Sequence, residues 1–353
     1  MEQNKFLVCV RCMTFNHAPY IVDAMNGFAM QQTSFPFVCC ILDDASTDGE
    51  PEVIRQYLQD NFDLEDKTVV RNEETDDYVL TFARHKTNVN CFFAVFFLKY
   101  NHYKIKSKLP YIAEWNENAK YVALCEGDDY WIHLQKLQMQ YDFMESHENY
   151  SCCYTKYKAF SQSKNKMVRI GGLNYKNIYE MLWKDVIIAT CTFFYRNKCL
   201  EGYVDFIKEE SRNWLMGDKP LFFYLGHKGF TKLLGVVSSV YRVLPESASH
   251  SSNLELQLTR AQNTIDIYMF FANRFFPNDI VLKKQIEGGL LYRQYVVYII
   301  ANVPLPQELR NTILHYKGKY LKLHFIKLFI VFPWFGRCLY SLKRKINVWV
   351  RIL

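Results

Sequence analysis

One short stretch of this sequence constrains the fold more than any other, an apolar run that ends abruptly in carboxylates. Residues 121–125 are apolar, and Glu126, Asp128 and Asp129 follow around Gly127. An apolar run of this length predicts a buried strand, and glycine permits a sharp turn after it. Open α/β sheets bind ligands at the carboxyl ends of their strands, so we expect a binding site here. The three carboxylates repel one another, and a divalent metal is the simplest group that would compensate them.

The first part of the chain alternates between strand and helix patterns. Residues 6–11, 37–42 and 67–71 are strand candidates. Residues 21–32 have the apolar spacing of a helix, and a second helix is expected near residues 51–59. This order predicts a parallel sheet with crossover helices.

The remaining segments are less regular. Residues 72–90 are polar and predict irregular structure, whereas the apolar and aromatic residues 90–103 predict a helix that backs the sheet. Short aromatic strands alternate with turns from residue 151 onward. Residues 254–276 and 280–302 predict two long helices.

The cysteines do not suggest a disulfide framework. They number eleven, they include adjacent pairs, and most lie in apolar runs, which favours buried free thiols in a reducing cytoplasm. Cys9 and Cys12 have metal-like spacing but no matching second pair, which argues against zinc. We expect no signal peptide at the amino end and no stretch of the roughly 18 apolar residues that a membrane span needs.

The positive charge of the chain is concentrated in its tail. Residues 309–353 hold ten Lys and Arg and no Asp or Glu, which leaves the first 308 residues with a formal charge of −3. The tail, from about residue 304, is also apolar and aromatic, and such segments suit the interface of an anionic membrane. The alternative is a helical hairpin that packs on the domain with its lysines in water. Its phenylalanines form an apolar block and are not interleaved for base stacking, so nucleic-acid binding is not expected.

Polar motifs also follow other predicted strands. Thr14 and Asn16 follow the first strand, and Asp43, Asp44 and Ser46 follow the second. Parallel strands would place the Asp43 pair and the Glu126 cluster at the same edge of the sheet. One cluster alone could be turn residues, but two at one edge favour a ligand site that binds Mg²⁺ or Mn²⁺ together with substrate phosphates.

These motifs, in this order, resemble those of the family 2 glycosyltransferases with a GT-A fold, of the bacterial cell-surface polysaccharide type. The resemblance covers roughly residues 5–250. It rests on five segments: Thr14-Phe15-Asn16-His17, the loop from Asp43 to Gly49, Glu126-Gly127-Asp128 at the Asp-x-Asp position, Gly217-Asp218, and Tyr241-Arg242. The chain departs from the family in having a glutamate, Glu126, where aspartate is more frequent.

The resemblance implies a Rossmann-like α/β fold with a mixed, mainly parallel sheet flanked by helices. Residues 1–250 would form the GT-A domain, with residues 1–130 binding the nucleotide sugar and residues 131–250 on the acceptor side. Residues 251–353 would form a helical, basic extension.

The resemblance also implies roles for individual residues. Thr14, Asn16, Asp43, Asp44 and Ser46 would hold the nucleotide sugar, as a carboxylate can accept the imide N–H of uracil or a ribose hydroxyl. Asp128 would coordinate Mn²⁺ or Mg²⁺. Glu126 would contact the ribose or the metal's water shell. Asp129 is either a further ligand or a turn residue.

Three roles remain for the second half of the chain. Asp218 would be the general base of an inverting transfer, the alternative being a helix cap. Arg242 would contact the diphosphate, the alternative being a surface strand residue. His250 is a candidate third metal ligand, and a solvated histidine is its alternative.

The function expected from the resemblance is transfer of a hexose or related sugar from a nucleotide-diphosphate donor, a UDP-sugar in the first instance. The acceptor would be a glycan or lipid-linked saccharide at the inner face of the cell membrane, with the enzyme in the cytoplasm as a peripheral protein. One alternative is a non-catalytic, membrane-associated scaffold with the same fold. A sugar nucleotidyltransferase is disfavoured because residues 12–20 contain no glycine to bring backbone N–H groups to a triphosphate.

Overall fold

The computed structural model describes residues 6–103, 105–208, 210–244 and 253–331, with only the backbone described at residues 212 and 213. The described part forms two compact units. The described residues of the first lie within 6–178, 187–206 and 224–244, and those of the second lie within 179–186, 207–223 and 253–331. The sequence patterns did not predict that residues 179–186 and 207–223 group with the C-terminal helices.

All strands of the described residues belong to one mixed sheet in the first unit. Their bounds are β1 Val8–Thr14, β2 Phe37–Asp43, β3 Phe62–Asp63, β4 Arg71–Glu74, β5 Tyr78–His85, β6 Cys91–Leu98, β7 Tyr121–Leu124, β8 Tyr130–Trp131, β9 Tyr150–Ser161, β10 Lys166–Gly171, β11 Phe193–Arg196 and β12 Phe230–Val243.

The centre of this sheet is parallel and its flanks are largely antiparallel. The strand order is β3-β5-β6-β2-β1-β7-β11-β9-β12-β8, with β4 paired to β5 and β10 to β9. Strands β6, β2, β1 and β7 run parallel, as do β9 and β12, whereas β5 and β11 pair antiparallel with their neighbours. The predicted α/β class, with a mixed sheet flanked by helices, is confirmed.

Helices connect and flank the strands. Their bounds are α1 Ile21–Ala29, α2 Glu50–Asn61, α3 Ala113–Asn116, α4 Lys136–Ser146, α5 Ile178–Lys184, α6 Tyr203–Ile207, α7 Asp218–Lys228, α8 Leu254–Phe275, α9 Ile280–Ile300, α10 Gln307–His315 and α11 Leu321–Val331. The side chains of α1 that point inward form one core with β1, β2 and β6, including Met25 and Phe28.

Three segments differ from the sequence predictions. Residues 90–103 were expected to form a helix, yet residues 91–98 form β6, whose eight residues are all buried between β2 and β5. A strand buried on both faces has no alternating pattern, so its periodicity cannot be distinguished from that of a buried helix, although its phenylalanines favour a strand. Residues 67–71 were predicted to form a strand, yet residues 67–69 form a turn and Arg71 begins β4. Residues 72–90 were predicted to be irregular, yet they contain the rest of β4 and all of β5.

The second unit is helical in its C-terminal part. The predicted long helices are confirmed as α8 and α9, and two shorter helices, α10 and α11, follow. A small core joins α9, α10 and α11 and includes Tyr292, Ile313, Leu323 and Ile326. Among the described residues, no helix is both long and apolar enough to cross a bilayer.

The described cysteines are free thiols, as predicted, and nine of them are buried. Burial raises the pKa of several of these thiols, including Cys12 and Cys125 near the Glu126 cluster. Thiolates are the reactive form of cysteine, so these buried side chains act as small apolar residues of the core.

Candidate active site

The carboxyl ends of three central strands meet at one edge of the sheet. Strands β1 and β2 run in register, so that Thr14 lies opposite Asp43. Strand β7 pairs with the other side of β1, with Leu124 opposite Arg11. It ends at Leu124, two residues before Glu126. The two acidic clusters therefore lie at the same edge, as the sequence predicted.

A buried carboxylate holds the loops after β1 and β2 together. The side chain of Glu50, at the start of α2, accepts hydrogen bonds from Thr14 Oγ1, from the backbone N–H of His17 at 2.8 Å and from Ser46 Oγ at 2.9 Å. Glu50 is fully buried. Glu50 was not among the site residues predicted from the sequence, although its position directly after the acidic loop and before Pro51 was a usable signal.

The same two loops are joined by further hydrogen bonds. The backbone N–H of Asn16 donates to Ser46 Oγ at 2.8 Å, and Asn16 Oδ1 accepts from the backbone N–H of Thr47 at 2.9 Å. Asp48 Oδ2 accepts from the backbone N–H of Ala18 at 2.9 Å. Thr14, Asn16 and Ser46, predicted to bind the donor, are thus brought together in a preorganised loop pair.

Asp43 has one carboxylate oxygen without a protein partner. Asp43 is buried at the end of β2, and its Oδ2 accepts a 3.4 Å hydrogen bond from the backbone N–H of Ser46. Its Oδ1 is buried and has no hydrogen-bond partner among the described residues. Burial, with contributions from the nearby carboxylates of Glu50 and Asp44, raises the pKa of Asp43 to about 6. A buried acceptor oxygen of this kind is available to a ligand that donates a hydrogen bond.

Asp44 is placed differently from its neighbour. Its Oδ2 pairs with Lys108 Nζ at 2.6 Å, and its Oδ1 accepts from the backbone N–H of His102 at 2.8 Å. Both oxygens are therefore engaged by the segment that follows β6. Of the two predicted donor-binding aspartates, Asp43 is the one that keeps an unengaged oxygen.

Gly127 allows the acidic loop to lie against the end of β1. Its backbone N–H donates to Met13 O at 3.1 Å. A Cβ atom built on Gly127 would lie 2.1 Å from Thr14 Oγ1 and 2.7 Å from Thr14 Cβ, distances that no real contact allows. Only glycine fits this position, and the close approach connects the acidic loop to the loops held by Glu50.

The carboxylates of Glu126, Asp128 and Asp129 form one group. One oxygen from each lies within 4.8 Å of the others, and their exposure decreases from Glu126, which is exposed, to Asp129, which is buried. Three hard oxygen donors at this spacing suit Mg²⁺ or Mn²⁺.

Asp129 is the member of this group with an unsatisfied oxygen. Its Oδ1 accepts a 2.8 Å hydrogen bond from the backbone N–H of Arg242, whereas its Oδ2 is buried without a hydrogen-bond partner in the described part of the chain. Burial and the charge of Asp128 raise the pKa of Asp129. From the sequence, Asp129 was either a metal ligand or a turn residue. A buried, unpartnered oxygen next to two carboxylates favours the role of metal ligand.

Arg242 fixes the position of the acidic loop. Its guanidinium donates to the backbone oxygen of Asp128 at 2.8 Å and pairs with Asp23 on α1. It also lies 4.5 Å from the ring centroid of Tyr130 and 5.0 Å from that of Tyr20, at cation–π distance. Arg242 is buried, which excludes the surface-strand alternative, and the contact with a diphosphate stays a prediction.

The residues predicted for the second half of the chain are not in this group. Asp218 begins α7 in the second unit, and its Oδ1 accepts a 2.8 Å hydrogen bond from the backbone N–H of Lys219. Lys219 is itself anchored in that unit, because its Nζ donates to Val186 O at 3.0 Å and to Tyr268 Oη at 3.2 Å. His250 lies outside the described residues.

Comparisons with known proteins add relatives of limited similarity. No protein-family model matches the chain. Uncharacterized protein Rv1520 of Mycobacterium tuberculosis (strain H37Rv) and uncharacterized protein Mb1547 of Mycobacterium bovis are each 30% identical to it over 142 residues, which is 40% of this chain and 32% of each relative. The match thus spans about a third of the length of these curated relatives.

Solved structures with similar backbones share little sequence with this chain. Staphylococcus aureus TarS 1–349 in complex with UDP-GlcNAc superposes with a TM-score of 0.44 at 14% identity, covering 86% of this chain and 83% of TarS 1–349. The mannosyltransferase PcManGT from Pyrobaculum calidifontis, in complex with GDP-Man and Mn²⁺, gives a TM-score of 0.45 at 12% identity, covering 92% and 85%.

Proposed function

We propose that the protein is a metal-dependent, inverting glycosyltransferase that uses a nucleotide-diphosphate sugar, with UDP-sugars as the first donors to test. One observation carries the proposal. Two buried carboxylate oxygens, Asp43 Oδ1 and Asp129 Oδ2, have no hydrogen-bond partner among the described residues. Asp43 ends β2 and Asp129 lies in the loop after β7, at the same edge of the sheet. One would accept a hydrogen bond from the nucleoside, and the other belongs to a group suited to a divalent cation.

Each residue has a defined task in this proposal. Asp43 accepts a hydrogen bond from the N–H of the base or from a ribose hydroxyl. Asp128, Glu126 and Asp129 hold Mn²⁺ or Mg²⁺, which when bound neutralises charge on the departing diphosphate. Arg242 keeps the acidic loop in place through Asp128 and Asp23. Asp218 takes the proton of the acceptor hydroxyl as the general base of a direct displacement.

The proposal keeps the domain division drawn from the sequence, with nucleotide-sugar binding assigned to residues 1–130, acceptor binding to residues 131–250 and the helical extension to residues 251–353. The acceptor is proposed to be a glycan or a lipid-linked saccharide of a cell-surface polysaccharide.

A sugar nucleotidyltransferase is disfavoured by the loop after β1. The backbone N–H groups of Asn16, His17 and Ala18 donate to the side chains of Ser46, Glu50 and Asp48. A triphosphate cradle needs such N–H groups to point at the ligand, and here they are already engaged. These hydrogen bonds therefore argue against a nucleotidyltransferase, in addition to the absence of glycine in the loop.

Donor hydrolysis tests the proposed function. The purified protein is incubated with a panel of UDP-, GDP- and dTDP-sugars, with Mn²⁺, with Mg²⁺ or with EDTA, and release of the nucleoside diphosphate is measured. We expect slow release from one donor class and loss of this release in EDTA. If no donor binds or is hydrolysed with either metal, the protein is a non-catalytic scaffold with the same fold.

Nucleotide binding is expected to depend on pH through Asp43. Its pKa is raised to about 6, so the carboxylate is ionised at pH 7.5 and becomes protonated as the pH falls below 6. The ionised form is the better hydrogen-bond acceptor, and affinity should therefore decline as the pH falls through 6. Isothermal titration calorimetry with the nucleoside diphosphate between pH 5 and 8 measures this decline.

The variant Asp43→Asn separates this effect from other titrations. The amide cannot titrate, so the variant should bind more weakly at pH 7.5 and lose the transition near pH 6. A transition near pH 6 that persists in Asp43→Asn would assign it to another group and remove Asp43 from the nucleoside site.

A further inference from the structure

Helix α11 is apolar on two opposite sides. Leu323, Ile326 and Ile330 are buried and pack against the core that includes Tyr292 and Ile313. The opposite side carries Leu321, Phe325, Leu328 and Val331, which are 74%, 64%, 50% and 52% exposed. Positions 321, 325 and 328 have the i, i+4, i+7 spacing of one helix face. We call the four exposed residues Leu321, Phe325, Leu328 and Val331 the outer stripe.

The outer stripe is bordered by positive charge. At 100° per residue, Lys322 and Lys327 fall on the two sides of α11, between the outer stripe and the buried face. Both contact their own unit, because Lys322 Nζ lies 5.0 Å from the ring centroid of Tyr292 and Lys327 Nζ donates to Tyr316 O. Lys317 and Lys319, in the turn before α11, are exposed. The chain has no Asp or Glu after Glu308, so no acidic side chain of residues 309–353 offsets these lysines.

This charge pattern discriminates among the partners that could cover the stripe. A second copy docked through a twofold axis would bring the same lysines face to face. The residues after 331 hold five further Lys and Arg and no acid, so covering the stripe with them would also oppose like charges. An anionic lipid surface supplies both an apolar layer for the side chains and negative headgroups for the lysines.

We propose that the outer stripe of α11 is a membrane-docking face, which lies in the plane of an anionic bilayer. Leu321, Phe325, Leu328 and Val331 insert below the headgroups, and the exposed Lys317 and Lys319, in the turn before α11, reach the lipid phosphates. The proposal does not depend on the activity proposed above. It replaces the general expectation of a membrane-associating tail with a defined helix face.

Vesicle sedimentation with the full-length protein tests the proposal. Binding to vesicles of phosphatidylcholine with 30% phosphatidylglycerol is compared with binding to phosphatidylcholine alone, at about 50 and 500 mM salt. We expect binding to the anionic vesicles at low salt and weak binding in the other conditions. The double variant Phe325→Glu/Leu328→Glu should reduce the vesicle-bound fraction at least tenfold, because it removes apolar side chains and adds negative charge.

A matched control carries the same chemical change elsewhere. Val168→Glu/Ile170→Glu alters exposed residues of β10, of which Ile170 is 63% exposed, comparable to Phe325. This variant should bind vesicles like the wild type. All three proteins should show the same thermal unfolding temperature, since each substituted side chain is exposed.

Two results would overturn the proposal. One is equal vesicle binding by the α11 variant and the β10 control. The other is a wild-type dimer by light scattering that the α11 variant converts to a monomer, with no vesicle binding by either, which would identify a second copy as the partner. Loss of vesicle binding in the α11 variant with donor hydrolysis unchanged would support the membrane-docking face independently of the proposed activity.

Discussion

Asp128→Ala is expected to abolish metal-dependent donor turnover while leaving the protein folded. Asp128 belongs to the three-carboxylate group and is partly exposed, so its removal leaves no large cavity. Loss of a direct ligand should cost more than the roughly 10–100-fold that follows loss of an outer-shell partner. We therefore expect a reduction of more than about 100-fold in donor hydrolysis at saturating Mn²⁺. The rate is measured as released nucleoside diphosphate across a Mn²⁺ titration.

The control is Glu117→Ala, which removes an exposed carboxylate of the same unit. It should leave both the rate and the Mn²⁺ dependence unchanged. Wild-type turnover in Asp128→Ala, or turnover that survives EDTA in the wild type, would refute the metal site. Because nucleotide binding through Asp43 is assayed separately by calorimetry, loss of the metal and loss of the nucleoside contact give different results.

Asp218→Asn is expected to stop sugar transfer without weakening donor binding. General base catalysis contributes typically 10²–10⁴-fold, so transfer to the acceptor should fall by about that factor. Asparagine has nearly the size of aspartate and remains a good residue for a helix N-terminus, so the fold should persist. The measurement pairs transfer rates with the dissociation constant of the donor nucleotide, which should stay within about twofold.

The same position offers a test of the helix-cap alternative. Serine, asparagine and aspartate stabilise helix N-termini to a similar extent, whereas only aspartate can act as the base. If Asp218 is the base, Asp218→Ser and Asp218→Asn should both lose transfer and unfold at the wild-type temperature. Normal transfer in both variants would leave Asp218 as a residue that only begins α7.

The sheet edge was predictable because it depends on local patterns. Apolar runs that end in polar loops predicted β1, β2 and β7, and the rule that parallel strands share their carboxyl edge predicted that Asp43 and Glu126 belong to one edge. Strand β6 was predicted wrongly as a helix. Its burial on both faces depends on neighbours that are distant in sequence, and the local pattern does not contain this information.

The contacts that decide which oxygens of the site residues are hydrogen-bonded could not be predicted from local patterns. Strand β8 pairs with β12, which brings Arg242 to the backbone oxygen of Asp128 and to the side-chain Oδ1 of Asp129 across more than 100 residues of chain. Asp44 and Asp43 are adjacent and chemically identical, yet only Asp44 is engaged by Lys108. Sequence patterns assign residue types to a site, but such long-range pairings decide which oxygens remain available.

The sequence alone determined the class of the fold, the order of the motifs and the edge of the sheet at which acidic residues collect. Those features follow from hydrophobic periodicity and strand direction, which are local properties of the chain. The tertiary structure alone decided that Glu50 joins the first two loops, that Gly127 must lack a side chain beside Thr14, and that Asp129 keeps a buried, unpartnered oxygen. These depend on atoms that lie within a few ångströms only after the strands have paired, so no local pattern could specify them.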